Sequence, residues 1–151
     1  MPKATVKVGD YLVMESDITV PYNWTTGPAT GAFLTALRDD KTIMAAKCSS
    51  CGKKVCPPVA FCAECYKQIS EYVPVKDTGV VETWTVVNKE FEWQPEKPPF
   101  ALAAIRLDGA DTNLIHMVRA DKIKTGMRVK AVWKEERVGY ITDISHFEPE
   151  S

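Results

Sequence analysis

The sequence lacks a charge excess of either sign, and this absence excludes broad classes of binding protein. Its 19 Lys and Arg residues stand against 20 Asp and Glu residues, which leaves a net charge of -1 at pH 7. The balance also holds within each half, because residues 1–75 carry 8 basic and 7 acidic groups and residues 76–151 carry 11 and 13. A chain without a basic region has no general electrostatic attraction to nucleic acid or anionic lipid.

Long apolar runs are absent as well. No stretch approaches the roughly 18–20 consecutive apolar residues that a membrane span needs, and the opening sequence Met-Pro-Lys-Ala-Thr lacks the apolar core of a secretion signal. A content of 45% hydrophobic and 26% charged residues is typical of a globular domain. We therefore expect a cytoplasmic protein of one ordinary domain or two very small ones, without membrane association.

Histidine is scarce, since only His116 and His146 occur in the chain. A cysteine nucleophile needs a nearby activating base such as histidine, and neither histidine is close to a cysteine in the sequence. We expect both histidines to be ordinary strand residues, and we predict that this chain has no catalytic residue of its own.

Cysteine, by contrast, is crowded: all five cysteines fall within residues 48–65. Disulfides do not explain them in a cytoplasmic chain, where thiols are kept reduced. Two Cys-x-x-Cys knuckles, Cys48/Cys51 and Cys62/Cys65, are separated by ten residues. Knuckles on facing hairpins bring four thiolates into a tetrahedron, which suits Zn²⁺. We predict one structural zinc ion on Cys48, Cys51, Cys62 and Cys65, with no position left for a catalytic water.

Other uses of these cysteines stay open at this stage. A rubredoxin-type iron site uses similar spacing and would make the protein an electron carrier, and a Cys-x-x-Cys pair can serve thiol–disulfide exchange. The fifth cysteine, Cys56, lies between the knuckles and before Pro57-Pro58. We expect Cys56 to be a small buried hydrophobic residue, with exchange for one of the four ligands as the alternative.

The remaining sequence predicts a mainly β protein in three segments: an N-terminal arm and short helix (1–40), a four-cysteine zinc ribbon (41–75) and a C-terminal five-stranded OB-fold barrel (76–151). Residues 1–25 read as an extended arm without a core, and Thr26 or Thr30 is the candidate helix cap. Five short strands over about 70 residues fit a small closed barrel. The predicted elements are a helix at about 29–39, a strand at 43–46, and barrel strands at 80–87, 100–107, 112–118, 127–134 and 138–144.

Several short motifs occur in a fixed order along roughly residues 21–150. They are Cys48-x-x-Cys51-Gly52 with Pro57-Pro58 and Cys62-x-x-Cys65, then Gly79-x-Val81-x-x-Trp84-Thr85-Val86-Val87, Pro98-Pro99-Phe100 through Ile105-x-Leu107, Lys124-x-Gly126-Met127-x-Val129, and Phe147-x-Pro149. This ordered set resembles the family of small zinc-ribbon/OB-fold proteins that accompany thiolase-superfamily enzymes. The chain departs from the family at Cys56, where members typically carry an aromatic or aliphatic residue.

The resemblance implies a function that the residues alone do not. Members lack catalytic residues, bind a thiolase-like or acyltransferase subunit whose cysteine does the chemistry, and help form or shield the acyl-CoA path. For this chain it implies a hetero-oligomer with a thiolase-superfamily catalytic subunit and a CoA thioester bound jointly with that partner. A particular candidate is the small subunit of an aromatic-degradation thiolase such as benzoylsuccinyl-CoA thiolase.

Exposed aromatic residues are the candidates for contact with such a partner. The loop between the first two barrel strands holds three prolines and two aromatics, so it reads as stiff and exposed. We expect Trp84 and Trp133, on the strands, to belong to the core. The residues predicted to face the partner or CoA are Tyr22, Trp24, Phe33, Phe91, Trp93 and Lys97.

Single-stranded nucleic-acid binding is the alternative function, because OB barrels and zinc ribbons both serve it. Trp84, Phe91, Trp93 and Phe100 offer aromatic faces for stacking. The clustered Lys and Arg residues that bind a phosphate backbone are absent, which makes nucleic acid an unfavoured partner.

Overall fold

The structure is a computed structural model that describes residues 6–9, 11–13, 19–92, 94 and 96–150. Its strands are β1 (Val6–Val8), β2 (Tyr11–Val13), β3 (Ile43–Lys47), β4 (Lys54–Val55), β5 (Glu71–Val75), β6 (Thr78–Val87), β7 (Phe100–Leu107), β8 (Asn113–Val118), β9 (Arg128–Trp133) and β10 (Ile144–Pro149), with helix α1 at Gly27–Asp40. The predicted mainly β class, with one short helix before a cysteine ribbon and a closed five-stranded barrel, is confirmed.

The predicted N-terminal arm holds a small hairpin in its described part. Strands β1 and β2 pair antiparallel, with Val6 opposite Val13. Residues 19–26 have no regular structure, and all of them are exposed.

Helix α1 begins after Thr26 and has Pro28 in its first turn. Backbone N–H groups there have no partner within the helix, so the lack of an N–H on proline costs no hydrogen bond. Thr26 is the N-cap residue, as one of our two candidates, but its hydroxyl makes no capping hydrogen bond. One face buries Phe33 and Leu37 with two alanines, and Lys41 ends the helix with its N–H donated to the carbonyl oxygen of Ala36. Within the described residues, no helix has the length and apolar character to cross a membrane.

A three-stranded antiparallel sheet, in the order β4-β3-β5, supports the cysteine segment. Strand β3 pairs with β5 from Ile43 opposite Val75 to Lys47 opposite Glu71. The Nζ atom of Lys47 lies 3.0 Å from a carboxylate oxygen of Glu71. The first knuckle therefore begins where a paired central strand ends.

The last five strands close into a barrel in the order β10-β8-β7-β6-β9. Its one parallel contact joins β10 to β8 through Phe147 and Val118. The first barrel strand, β6, pairs with the second, β7, and with the fourth, β9, and the third, β8, pairs with the fifth, β10. This is the topology of an OB fold. The barrel interior is closed by fully buried side chains such as Ile105, Val129 and Phe147.

One hydrophobic core runs through helix, sheet and barrel. Phe33 of α1, Ile43 of β3 and Cys56 belong to the same buried cluster as Ile105 and Phe147 of the barrel. The core is thus continuous across the three predicted segments, and their boundaries as separate folding units stay a prediction.

The predicted fifth barrel strand is displaced. We expected it at 138–144, but residues 141–143 form a 3₁₀ turn and the strand is Ile144–Pro149. The buried carboxylate of Asp143 accepts hydrogen bonds from the backbone N–H groups of Val138, Gly139 and Tyr140 at 3.0, 2.8 and 3.3 Å. Those bonds hold a turn, and Gly139 supplies its left-handed backbone at φ 85°.

Trp84 also differs from expectation. It is 40% exposed, although we assigned it to the core. Strand β6 pairs with β9 only from Thr78 to Val80, so its second half leaves the barrel wall and pairs with β7 alone. Residues 82–86 are therefore exposed. Trp133 packs against the core with its side chain partly buried, as expected.

Candidate metal centre and partner-facing surface

Four thiols meet beyond the end of β3. The Sγ atoms of Cys48, Cys51, Cys62 and Cys65 all lie within 4.8 Å of one another, and those of Cys51 and Cys62 are 3.8 Å apart. Four sulfur ligands about 2.3 Å from a tetrahedral ion stand about 3.8 Å from one another. The structure therefore brings the predicted ligands together in a site that could hold one metal ion.

The two knuckles have the same backbone geometry. In the first, the N–H of Gly52 donates to the carbonyl oxygen of Cys48 at 2.8 Å. The N–H of Cys48 in turn donates to the carbonyl oxygen of Lys53 at 2.9 Å. In the second, the N–H of Tyr66 donates to the carbonyl oxygen of Cys62 at 2.9 Å. The chain thus makes the same turn twice and aims two pairs of sulfurs at one point.

Local hydrogen bonds act on the clustered thiols in opposite directions. The backbone N–H groups of Cys51 and Ser50 lower the pKa of the Cys48 thiol to about 7. The backbone at Lys53 acts to lower the pKa of Cys51, but hydrogen bonds with the neighbouring thiols outweigh it and raise that pKa to about 12. An ion pair between Lys53 and Glu64 bridges the two knuckles, and it raises the pKa of Lys53. Because a metal binds the thiolate and not the thiol, the backbone N–H groups around Cys48 favour the metal-binding form of that ligand.

Cys56 lies apart from the four ligands. It is 1% exposed and belongs to the main core, and burial raises the pKa of its thiol to about 12. Its backbone N–H donates to Oγ1 of Thr112 at 2.8 Å, and that hydroxyl donates to the Cys56 carbonyl oxygen at 2.9 Å. The prediction of a small buried hydrophobic residue is confirmed, and the geometry does not support an exchange of ligands.

A second pair of hydrogen bonds joins the ribbon to the barrel beside Cys56. The N–H of Lys54 donates to the carboxylate of Asp111 at 2.8 Å, and the N–H of Asp111 donates to the Lys54 carbonyl oxygen at 2.8 Å. Strand β4 is therefore fixed to the loop between β7 and β8. Sequence reasoning missed this link, because its partners are 56 or 57 residues apart in the chain.

The predicted partner-facing residues divide into exposed and buried positions. Tyr22, Trp24 and Phe91 are 78%, 73% and 59% exposed, and Lys97 is exposed as well. Trp93 lies outside the described residues. Phe33 is only 5% exposed, so its assignment to a partner-facing surface is wrong: its position on the apolar stripe of α1 turns it into the core of this chain.

Two apolar surfaces were missed by sequence reasoning. The second knuckle exposes Phe61 and Tyr66, at 61% and 85%. A groove of about 830 Å³ lies along the projecting part of β6 and is lined by Trp84, Val86 and Phe100. Apolar and polar residues alternate along β6, and this pattern could have indicated an apolar strand face at Trp84 and Val86. We assigned Trp84 to the core instead.

The histidines are in strands, as predicted, with His116 in β8 and His146 in β10.

Among the described residues, Cys56 is the one cysteine outside the metal cluster, and it is buried. The described part of the chain therefore presents no accessible thiol apart from the four clustered ones.

Comparison with known proteins finds likenesses in the barrel and in the overall fold. Residues 72–134 match the model of the family described as ChsH2, C-terminal OB-fold domain. A Sulfolobus solfataricus protein of unknown function from the DUF35 family has a similar crystal structure, with a TM-score of 0.60 and 29% identity over 71% of this chain and 79% of that one. No curated protein matches the sequence.

A solved structure of the Ltp2-ChsH2(DUF35) aldolase is also similar. Its TM-score is 0.57 and its identity 23%, and the match covers 79% of this chain and 93% of that one. At this identity the likeness shows the fold alone. The family match and the two structures together confirm the predicted OB-fold barrel.

Proposed function

We propose that this chain is a non-catalytic, zinc-holding subunit that docks on a thiolase-type catalytic subunit. In that complex it helps to form or shield an acyl-CoA site during carbon–carbon bond cleavage or formation. The match of residues 72–134 to the ChsH2 OB-fold family supports this proposal. The similar structure of the Ltp2-ChsH2 aldolase also supports it, because there a ChsH2 chain is named together with a second protein, Ltp2.

The observation that carries the proposal is the aromatic character of an exposed segment. Residues 19–26 are exposed throughout, and Tyr22 and Trp24 present 78% and 73% of their surface to solvent. Tyrosine and tryptophan are enriched where proteins bind one another, because they bury a large area at low entropic cost. We infer that this segment lies on the catalytic partner.

The thiol cluster supports a structural role for a metal. Four sulfur ligands suit zinc and close its coordination sphere, so a bound ion would serve to hold the two knuckles together and would contribute no chemistry to the acyl group. Cys56 is buried with a raised thiol pKa, which makes it unsuitable as a nucleophile. We infer that the catalytic cysteine and histidine belong to the partner.

Joint binding of CoA is the finer part of the proposal. Phe91 and Lys97 are exposed on the loop between β6 and β7, where an ammonium group can pair with a CoA phosphate and a ring can cover its adenine. We propose that this loop closes over CoA held mainly by the partner. The specific partner that we would test first is an aromatic-degradation thiolase such as benzoylsuccinyl-CoA thiolase.

Nucleic-acid binding receives no support from the groove along β6. Its rim carries Arg119 and Lys122 against Glu96 and Asp121. Phosphate-backbone binding requires a surplus of basic side chains, and this rim has none.

The test is purification of the tagged chain from its native source with identification of the proteins recovered in equal amount. We expect a protein of the thiolase superfamily. Its acyl-CoA cleavage or condensation should depend on addition of this chain. Replacing both Tyr22 and Trp24 by alanine should weaken the complex by about a hundredfold, since each interface aromatic contributes about tenfold.

The control is Tyr140→Ala, which removes an aromatic side chain that is 64% exposed but lies outside the segment 19–26. It should leave the complex intact. Recovery of a stable monomer with catalytic activity of its own would overturn the proposal.

A further inference from the structure

The second half of β6 is a strand with one free edge. Pairing with β9 ends at Val80. The next contact on that side is the N–H of Val81, which donates to the carbonyl oxygen of Met127 at 2.9 Å. Residues 83–87 pair with β7 on their other side. Within the described part of the chain, no strand pairs with their second edge.

Every second residue of this edge directs its backbone groups away from β7. Groups of an antiparallel strand point alternately to its two sides. The N–H of Asp108 donates to the carbonyl oxygen of Thr78 at 2.9 Å, and every second residue of β7 before Asp108 has the same direction. Their partners on the outer half of β6 are Thr83, Thr85 and Val87. The N–H and carbonyl groups of Trp84 and Val86 therefore lie on the free edge.

The composition of this edge suits pairing with another strand. The segment Thr83–Val87 holds two threonines, two valines and a tryptophan, without the lysine or proline that usually blocks an exposed edge. Trp84 and Val86 are 40% and 42% exposed. The charge that precedes the segment, Glu82, is neutralised by Arg106 at 2.7 Å. A second strand would therefore meet no unpaired charge here.

We propose that two copies of this chain pair through this edge, antiparallel about a two-fold axis at Thr85. In this register Trp84 lies opposite Val86 of the second copy, and symmetry repeats the pair. Each pair exchanges two backbone hydrogen bonds, so the free groups of one copy meet those of the other. An aromatic residue opposite a β-branched one is also a stabilising cross-strand pair. Moving the axis by one residue would bring Glu82 or Asn88 into the pairing.

The dimer goes beyond the proposed docking function. None of the described residues that we assign to docking, namely Tyr22, Trp24, Phe91 and Lys97, lies within residues 83–87. The contact comprises five residues from each copy, and interfaces of such small size hold weak complexes. We expect a dissociation constant of about 100 µM.

The first test measures the mass of the isolated, full-length, zinc-loaded chain by sedimentation equilibrium. Between about 10 µM and about 1 mM the average mass should rise from that of a monomer towards that of a dimer. Over the same range, deuterium exchange at the amides of Trp84 and Val86 should become slower. The amide of Thr85, which faces β7, should exchange at a rate that does not depend on concentration.

Two threonine-to-lysine variants provide the matched comparison. Thr85→Lys places two ammonium groups opposite each other at the axis and should weaken the dimer about tenfold. Thr142→Lys makes the same change at an exposed position outside β6 and should leave the dimer unchanged.

A pair of cysteine variants tests the register. Thr85 and its counterpart form a non-hydrogen-bonded pair with Cα atoms about 4.5 Å apart, within the range of a disulfide. Thr83 and its counterpart would be about 13 Å apart, since each strand residue advances about 3.3 Å. With oxidised glutathione as the oxidant, which is reduced to two thiols, Thr85→Cys should form a covalent dimer. Thr83→Cys should form no more of it than the parent chain.

Three results would each overturn the dimer. They are a monomer mass at about 1 mM, equal effects of the two lysine variants, and equal yields of covalent dimer from the two cysteine variants. If one variant does not fold, the mass of the parent and the other pair of variants still decide. Because the isolated chain is used, failure of the docking proposal would not produce any of these results.

Discussion

Gly52 and Tyr66 occupy equivalent places in the two knuckles, one residue after the second cysteine of each. Both have left-handed backbone conformations, with φ of 76° and 55°. Glycine adopts this conformation without a steric penalty, whereas a residue with a Cβ atom is destabilised there by about 1 kcal/mol. The second knuckle therefore contains a local strain that the first one avoids.

This asymmetry predicts opposite effects of two substitutions. Gly52→Ala should lower the free energy of unfolding by about 1 kcal/mol, and Tyr66→Gly should raise it relative to Tyr66→Ala by about the same amount. Chemical denaturation of the metal-loaded proteins measures both effects. The Tyr66→Ala reference separates the backbone effect from loss of the exposed ring, and equal stability of Tyr66→Gly and Tyr66→Ala would contradict the argument.

His116 predicts a pH dependence of stability. Burial lowers its pKa in the folded protein below the ordinary value of 6.5, so the folded state binds fewer protons than the unfolded state near that pH. Its contribution is therefore fully present above about pH 6.5 and is lost as the pH falls toward the lowered folded-state pKa. His146 has a lowered pKa for the same principal reason and acts in the same direction.

The measurement is the free energy of unfolding between pH 7.5 and pH 5.5, compared with that of His116→Gln. The variant should lose less stability on acidification than the parent. His146→Gln is the control, because it retains the more buried histidine and should keep most of the pH dependence. A parent and a His116→Gln variant with the same slope would show that His116 does not contribute.

At the scale of elements, the ribbon and the barrel have unequal support from apolar burial. The ribbon has a small cluster of its own, formed by Ala46, Cys48, Cys62 and Ile69. The barrel shares the large cluster with α1 and β3. A metal bound to four thiolates can supply on the order of 10 kcal/mol to such a small unit. We therefore expect the ribbon to depend on a bound metal and the barrel on its core.

Removal of the metal should therefore loosen the ribbon first. In strong chelator, the amide protons of the two knuckles should exchange before those of β7 and β8, and the melting temperature should fall.

Cys62→Ser should lose most of the bound metal, while Cys56→Ala should retain one equivalent because Cys56 lies in the main core. Unchanged thermal stability in chelator would argue against a structural metal, and a colourless protein with one zinc would exclude rubredoxin-type iron.

At the scale of the whole molecule, the charge balance decides between two uses of an OB barrel. The described ion pairs, such as Arg106–Glu82 and Arg119–Glu96, neutralise basic side chains on the barrel surface. Binding of a phosphate backbone would need those cations free and clustered. The distribution of charge thus disfavours a nucleic acid as the ligand of this barrel.

A mobility-shift titration with a labelled single-stranded oligonucleotide checks this. The purified chain should produce no salt-dependent shift at micromolar protein, and a single-strand-binding OB protein serves as the positive control. A shift that weakens steeply as salt is raised would restore the nucleic-acid alternative.

Local patterns predicted the elements where the deciding contacts are close in sequence. The strand at Phe100–Leu107 is where we expected it, because its run of apolar residues ends at Asp108-Gly109, a strong local turn signal. The grouping of Cys48, Cys51, Cys62 and Cys65 followed from spacing alone. The fifth strand was misplaced because the side chain of Asp143 competes for backbone N–H groups, an interaction that strand propensity does not contain.

The sequence by itself therefore determined the grouping of the four cysteines, the mainly β class and the near-neutral charge balance, because each depends on residue spacing or composition. Only the tertiary structure decided which apolar side chains are available to a partner. Phe33 and Trp84 are both apolar residues in regular elements, yet Phe33 is buried and Trp84 is 40% exposed. Exposure depends on what packs against each residue from distant parts of the chain, and that is settled only when helix, ribbon and barrel assemble around one core.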